Sequence, residues 1–240
     1  MKNILSLLTN LVGFQRGVMV INLLSCLFAV LLLIGLNQVA LSQVALEEKI
    51  QCPEGTKSMD GKNDGYTAKW CQKANGAYHG PMITWYDNGQ KRSEKNYLDN
   101  STHGRSIMWY ENGKKELETN YTNDKLEGLY TAWYENGKKQ FEGNFHNDLK
   151  QGHWTMWYEG GAKSKDIEFQ DDKRHGIEIE WYESGVKKSE TPYQHAIQIG
   201  KWTEWHPNGK KYREGETRLE NGQLIVLDTK EWDEKGQLVK

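Results

Sequence analysis

The chain has 240 residues and a formal net charge of −2, so bulk charge points to neither nucleic acid nor an anionic membrane surface as a partner. Apolar residues make up 37%, below the range of about 45–50% usual for globular domains, which also counts glycine. With 24 glycines and 10 tryptophans against 5 phenylalanines, the composition suits tight turns and amphipathic rings better than a dry aliphatic core.

Residues 1–45 form the first region. From Ile4 to Leu46 the only charged residue is Arg16, and Val18 to Leu36 is a nearly unbroken apolar run of 19 residues. As a helix that length spans a bilayer, for which about 20 residues are needed. Lys2 and Arg16 precede the run and Glu47 and Glu48 follow it, which keeps the N-terminus cytoplasmic and sends the remainder across. Ala40-Leu41-Ser42 places small residues where a signal peptidase needs them, so the segment reads as a cleaved signal peptide. Two other readings stay open: an uncleaved anchor that holds the protein on the membrane, and a lipoprotein signal through Cys26. Each exports the rest of the chain to the periplasm, the exterior or the outer side of the membrane.

Residues 46–79 read as a capping segment. Cys52 and Cys71 lie 19 positions apart, with no Cys-x-x-Cys and no neighbouring ligands for zinc. In an exported protein they are expected to form a disulfide. Closing a loop of that size stabilises by roughly 3 kcal/mol in the chain-entropy model.

Residues 80–223 carry a fixed period of 24. Glycine recurs at Gly80, Gly104, Gly128, Gly152, Gly176 and Gly200, and a tryptophan follows five positions later at Trp85, Trp109, Trp133, Trp157, Trp181 and Trp205. A second glycine comes nine positions after the first, at Gly89, Gly113, Gly137, Gly161, Gly185 and Gly209. Six copies in phase mark a repeat architecture whose units contact only their neighbours. In the copy from Gly128, Leu129 to Glu135 has strand composition, Asn136-Gly137 signals a type I′ hairpin turn, and Lys138 to Phe145 makes a second strand. A two-residue turn there sets Tyr134 opposite Lys139 and Trp133 opposite Gln140. The recurring tyrosine (His206 in the last copy) would then carry a lysine stem over its ring. An acid stands three positions beyond that lysine in every copy: Glu94, Glu118, Glu142, Asp166, Glu190 and Glu214. Residues 224–240 read as a divergent hairpin that caps the sheet edge. The expected fold is all-β, an extended single-layer antiparallel meander of hairpins, preceded by one N-terminal hydrophobic helix.

The unit Gly-x-Trp-x-x-Trp-Tyr-x-Asn-Gly-Lys-Lys, fullest at Gly152-His-Trp154-Thr-Met-Trp157-Tyr158, resembles the MORN-variant repeat. His-Gly at His79-Gly80, His103-Gly104 and His175-Gly176 is similar to the junction of ordinary MORN repeats. The resemblance covers roughly residues 80–224. It implies a binding or scaffolding module, not an enzyme. Family members are often labelled toxin–antitoxin antitoxins. In an exported chain that label implies an immunity-like role against an envelope or secreted toxin.

The residues themselves offer no catalytic or metal constellation, and no cofactor is expected. The seven histidines are scattered, the six acids recur as scaffold does, and the glycines lack the strand–loop–helix context that cradles phosphate. The structural set is the six repeat glycines with Trp85, Trp109, Trp181 and Trp205. The candidate binding surface is Trp133 and Trp157 together with Met82, Tyr130, Trp154 and Trp202, which occupy one strand position and differ between copies. A protein partner is the leading expectation, and a glycan or lipid headgroup is the alternative.

Overall fold

The computed structural model describes residues 48–240, and the hydrophobic segment with its expected helix, cleavage or anchoring lies outside them. Strands β1 (Thr56–Asn63), β2 (Tyr66–Lys73), β3 (Tyr78–Trp85), β4 (Lys91–Leu98), β5 (Ser101–Thr102), β6 (Gly104–Trp109), β7 (Lys115–Thr122), β8 (Lys125–Leu126) and β9 (Gly128–Trp133) come first. They are followed by β10 (Lys139–His146), β11 (Leu149–Trp157), β12 (Lys163–Gln170), β13 (Lys173–Trp181), β14 (Lys187–Gln194), β15 (Ile197–Gln198), β16 (Gly200–Trp205), β17 (Lys211–Glu220) and β18 (Gln223–Glu231). These 18 strands form one open antiparallel sheet, with no helix among the described residues. Pairing follows chain order, from β1 on β2 at one edge to β17 on β18 at the other. The short strands β5, β8 and β15 lead into β6, β9 and β16, and each pair of pieces bonds the same preceding strand. The all-β meander is therefore as expected.

The turns differ from the expectation. Trp133 lies opposite Lys139, and Ala132 lies opposite Phe141. The Gly137 N–H donates to the Tyr134 carbonyl at 2.8 Å, and the Tyr134 N–H donates to the Lys138 carbonyl at 2.8 Å. Of Asn136 and Gly137, only the glycine is left-handed, with φ 89°. This is a three-residue loop, a type I turn closed by a left-handed glycine, and not the type I′ turn that Asn-Gly suggested. Asn136 remains in the right-handed turn, where its Oδ1 accepts the Lys138 N–H at 2.9 Å. One extra loop residue shifts the register, so the recurring lysine faces the tryptophan and not the tyrosine.

The type I′ geometry falls between repeats instead. Asp99-Asn100, Asn123-Asp124, Asn147-Asp148, Asp171-Asp172 and His195-Ala196 all have two successive left-handed residues, with φ from 49° to 73°. Asn and Asp tolerate that region because their short polar side chains bond locally. Here they also bond the neighbouring repeat. The Asp124 carboxylate accepts the Thr102 N–H at 2.6 Å, while the Asp124 N–H donates to the Thr102 carbonyl at 2.9 Å. Asn100 clips Tyr78, Asp148 clips Leu126 and Asp172 clips Lys150 in the same way.

At the N-terminal end Cys52 and Cys71 form the expected disulfide, with Cα atoms 5.5 Å apart. It holds Pro53 against Gly80, where a Cβ would meet the proline ring at 2.6 Å. Ile50 packs on the buried pair Ile83 and Trp85, and Lys91 bonds Glu48 at 2.8 Å. At the other end, Trp232 bridges Leu238 and the Gly236 N–H donates to Asp233. The 233–236 loop thus repeats the intra-repeat turn. Among the described residues, this tail pairs with the edge only at Glu231 and Trp232, so the expected protection stops short of residues 223–230 there.

Candidate interaction surface

The two faces of the sheet have different characters. On the first, tryptophan, lysine and acid form a ladder. Lys115 lies 5.6 Å from the ring centre of Trp133, Lys139 lies 5.7 Å from Trp157, and Lys187 lies 5.3 Å from Trp205. Each lysine covers the tryptophan of the following repeat, which replaces the tyrosine contact expected within a repeat. The same lysines bond the acid three residues on: Lys115 to Glu118 at 2.6 Å, Lys139 to Glu142 at 2.5 Å and Lys187 to Glu190 at 2.7 Å. The hydrogen bond from Lys115 holds the Glu118 carboxyl below the usual range against the opposing effect of burial, with Arg105 helping. Burial pushes Lys91 down, but Glu48 and Glu94 outweigh it and hold its ammonium above the ordinary value. The six acids are thereby engaged as ion-pair partners of the ladder.

A second column fixes the ladder. The phenol of Tyr86 donates to the Trp109 carbonyl at 2.7 Å, Tyr110 to Trp133 at 2.6 Å, Tyr158 to Trp181 at 2.7 Å and Tyr182 to Trp205 at 2.8 Å. His206 bonds the Trp232 carbonyl in the same place, so the final hairpin closes the column. Asn112 Nδ2 donates to the Glu135 carbonyl at 3.0 Å, and Asn136 Nδ2 donates to the Glu159 carbonyl at 2.9 Å. Where Gly160 replaces the asparagine, a shallow groove of about 480 Å³ opens between Lys138, Lys139, Trp157, Gly160 and Gly161.

The opposite face holds the variable row of Met82, Tyr130, Trp154 and Trp202. Tyr130 stacks on Phe141 with ring centres 5.7 Å apart, Phe145 meets Trp154 edge-on at 5.0 Å, and Lys150 caps Trp154 at 5.1 Å. Trp154 lies over Gly143, where a Cβ would come within 2.1 Å of the indole. Trp202 lies likewise over Gly215. Further along, this face becomes ionic: buried Glu178 bonds Arg174 at 3.3 Å and Lys165 at 3.5 Å, and Lys188 bonds Glu180 at 3.1 Å.

The six candidate residues are therefore not brought together. Met82, Trp154 and Trp202 are 5%, 2% and 9% exposed and fill space, whereas Tyr130 is half-buried on the same face. Trp133 and Trp157 lie on the ladder face, half-buried and covered by lysines. The accessible apolar atoms belong to residues the sequence reading passed over. Leu129 and Ile177 are 50% and 53% exposed, one position after a repeat glycine, and alternation puts them on the ladder face with Trp133 and Trp181. The same position holds Arg105, His153 and Lys201 in other copies. The signal was an aliphatic at a variable position among cations.

Residues 78–99, 102–123, 126–147, 174–195 and 198–218 match the MORN repeat variant family. The chain carries five MORN-variant repeats across residues 78–218. No curated protein matches it. The matched copies of this MORN-variant array correspond to hairpins in one register. The copy at 150–171, which carries the fullest form of the quoted motif, is not among the matches, yet it folds as the same hairpin. Gly160 and Ala162 stand there where the neighbouring copy has Asn136 and Lys138.

Proposed function

We propose that this MORN-variant protein is a non-enzymatic, exported binding module that docks a protein partner on its ladder face, as envelope scaffold or as a toxin-neutralising factor. The observation that carries this reading is the alternation of Arg105, Leu129, His153, Ile177 and Lys201 along one row, with Leu129 and Ile177 half exposed. Neighbouring copies stand about 10 Å apart, two strand spacings. Apolar anchors ringed by charge on a rigid support are what protein interfaces use. Glycan stacking is less well served, because a lysine lies over Trp133, Trp157, Trp181 and Trp205. The ion-paired acids favour scaffold over catalysis, and the Cys52–Cys71 disulfide fits an oxidising compartment.

The test is a pull-down from envelope extract with the full chain and its Leu129→Asp/Ile177→Asp variant. Retention of a specific protein by the parent and its loss in the variant are expected. Retention of no protein, or equal retention by both, would reject the proposal. Binding to purified cell-wall glycan or liposomes, lost on Trp133→Ala and Trp157→Ala, would move the assignment to a carbohydrate or lipid surface module.

A further inference from the structure

The two edges of the sheet are built differently. Edge strand β1 carries Lys57, Asp60, Gly61 and Lys62, the charges and glycine that discourage edge pairing. Edge strand β18 begins Gln223-Leu-Ile-Val-Leu227, five residues without a charge. Leu224 and Val226 are 54% and 57% exposed, and Leu219, opposite Leu224, is 52% exposed. Among the described residues, the C-terminal tail meets this edge only at Glu231 and Trp232 and leaves the run open.

The hydrogen-bond phase of the run follows from its turn. Asn221-Gly222 is a two-residue turn with both residues left-handed, which makes Glu220 and Gln223 the hydrogen-bonded pair that closes the hairpin. Hydrogen-bonded and non-bonded pairs alternate from there in an antiparallel ladder. Gln223, Ile225 and Leu227 therefore turn their amides toward β17, and Leu224 and Val226 turn theirs outward. The two residues with free backbone groups are also the two exposed apolar side chains of the run. Asp228 is left-handed, φ 51°, and breaks the ladder after Leu227. The open template is thus five residues long and centred on Ile225.

We infer that a second copy of this chain pairs with the Gln223–Leu227 edge, antiparallel about a twofold axis at Ile225. In that register Leu224 faces Val226 of the other copy and Val226 faces its Leu224. All four outward-pointing residues are then hydrogen-bonded pairs, and the run matches itself end to end. Leu219, Leu224 and Val226 of the two copies join into one apolar strip on one face. The flanks are complementary as well: Glu220 lies before the run and Lys230 after it, so the twofold brings acid toward base. Sliding by one pair would set Leu224 against Asp228, and pairing with β1 would set the run against Lys57 and Lys62.

The test is cross-linking of the full chain in mild detergent, in a Cys26→Ser background. Across a non-hydrogen-bonded pair, Cα atoms stand about 4.5 Å apart, within disulfide reach. Ile225→Cys is expected to give a covalent dimer on mild oxidation, and Thr229→Cys is not. Val226→Pro removes an outward amide that β17 does not use and is tolerated on an edge. It should lower the dimer fraction about tenfold while leaving the tryptophan emission unchanged. Val226→Lys, a charge on the edge, is the second disrupting variant should the proline unfold the hairpin. Absence of an Ile225→Cys dimer, equal cross-linking through Thr229→Cys, dimers that survive a folded Val226 variant, or an open ladder of higher oligomers would each overturn the inference.

Discussion

The phenol of Tyr134 donates to the backbone carbonyl of Trp157 at 2.7 Å, joining residues 23 positions apart in neighbouring repeats. The bond ties one turn to the last residue of β11, the first strand of the next repeat, outside the strand ladder. Tyr134→Phe keeps the ring and leaves a half-buried carbonyl unpaired, which is expected to cost about 0.5–1.5 kcal/mol. A lower urea midpoint with unchanged slope is the expected signature. An unchanged midpoint would show that the inter-repeat staple adds nothing to strand pairing.

Ala196 breaks the other column. Its N–H still donates to the Arg174 carbonyl at 2.8 Å, but it has no side chain to return the bond, and it sits at φ 70°. The equivalent Asp124, Asp148 and Asp172 each accept a backbone N–H from the preceding repeat. Ala196→Asp restores that acceptor and suits the left-handed backbone better. Stabilisation of about 1 kcal/mol is expected, read as a rise in thermal midpoint. A fall would mean that the fourth and fifth repeats are spaced differently from the others.

Strands, period and disulfide were legible because each rests on local chemistry: turn residues, alternation and two cysteines. The register was not. Asn-Gly supports both a type I′ turn and a type I turn with a closing glycine, and one extra loop residue moves the lysine from tyrosine to tryptophan. The type I′ turns between repeats, such as Asp171-Asp172, contain no glycine and read as a polar linker. Binding candidates were misplaced for a packing reason. Trp154 and Trp202 looked like exposed rings at variable positions, and what buries them is a glycine on the adjoining strand, Gly143 or Gly215. Those two glycines break the repeat pattern and were the available clue.

Gly143 tests that explanation. It is buried, and its backbone is not left-handed, so any penalty for a side chain comes from the indole above it and not from strain. Gly143→Ala is expected to destabilise by about 2–3 kcal/mol, the cost of overpacking a fixed neighbour. In a Trp154→Ala background the same substitution should cost little, giving a large coupling in a double-mutant cycle. Equal penalties in both backgrounds would place the clash elsewhere.

Acid should loosen the array through named carboxylates. The hydrogen bond from Lys115, with Arg105 behind it, holds Glu118 below its usual 4.5. The Thr102 amide, followed by Ser101, holds Asp124 below its usual 3.8. Both groups have folded pKa values below their unfolded ones. Their contribution is therefore complete above about pH 4.5 and is lost as pH falls through the folded values. Glu118→Gln/Asp124→Asn removes both titrations, while the amide oxygen at position 124 still accepts the Thr102 N–H. The urea midpoint of the parent should be flat from neutral pH to about 5 and fall below 4.5. The variant should start lower, lose less on acidification and converge on the parent in acid. Parallel pH curves would mean that other groups govern the acid response.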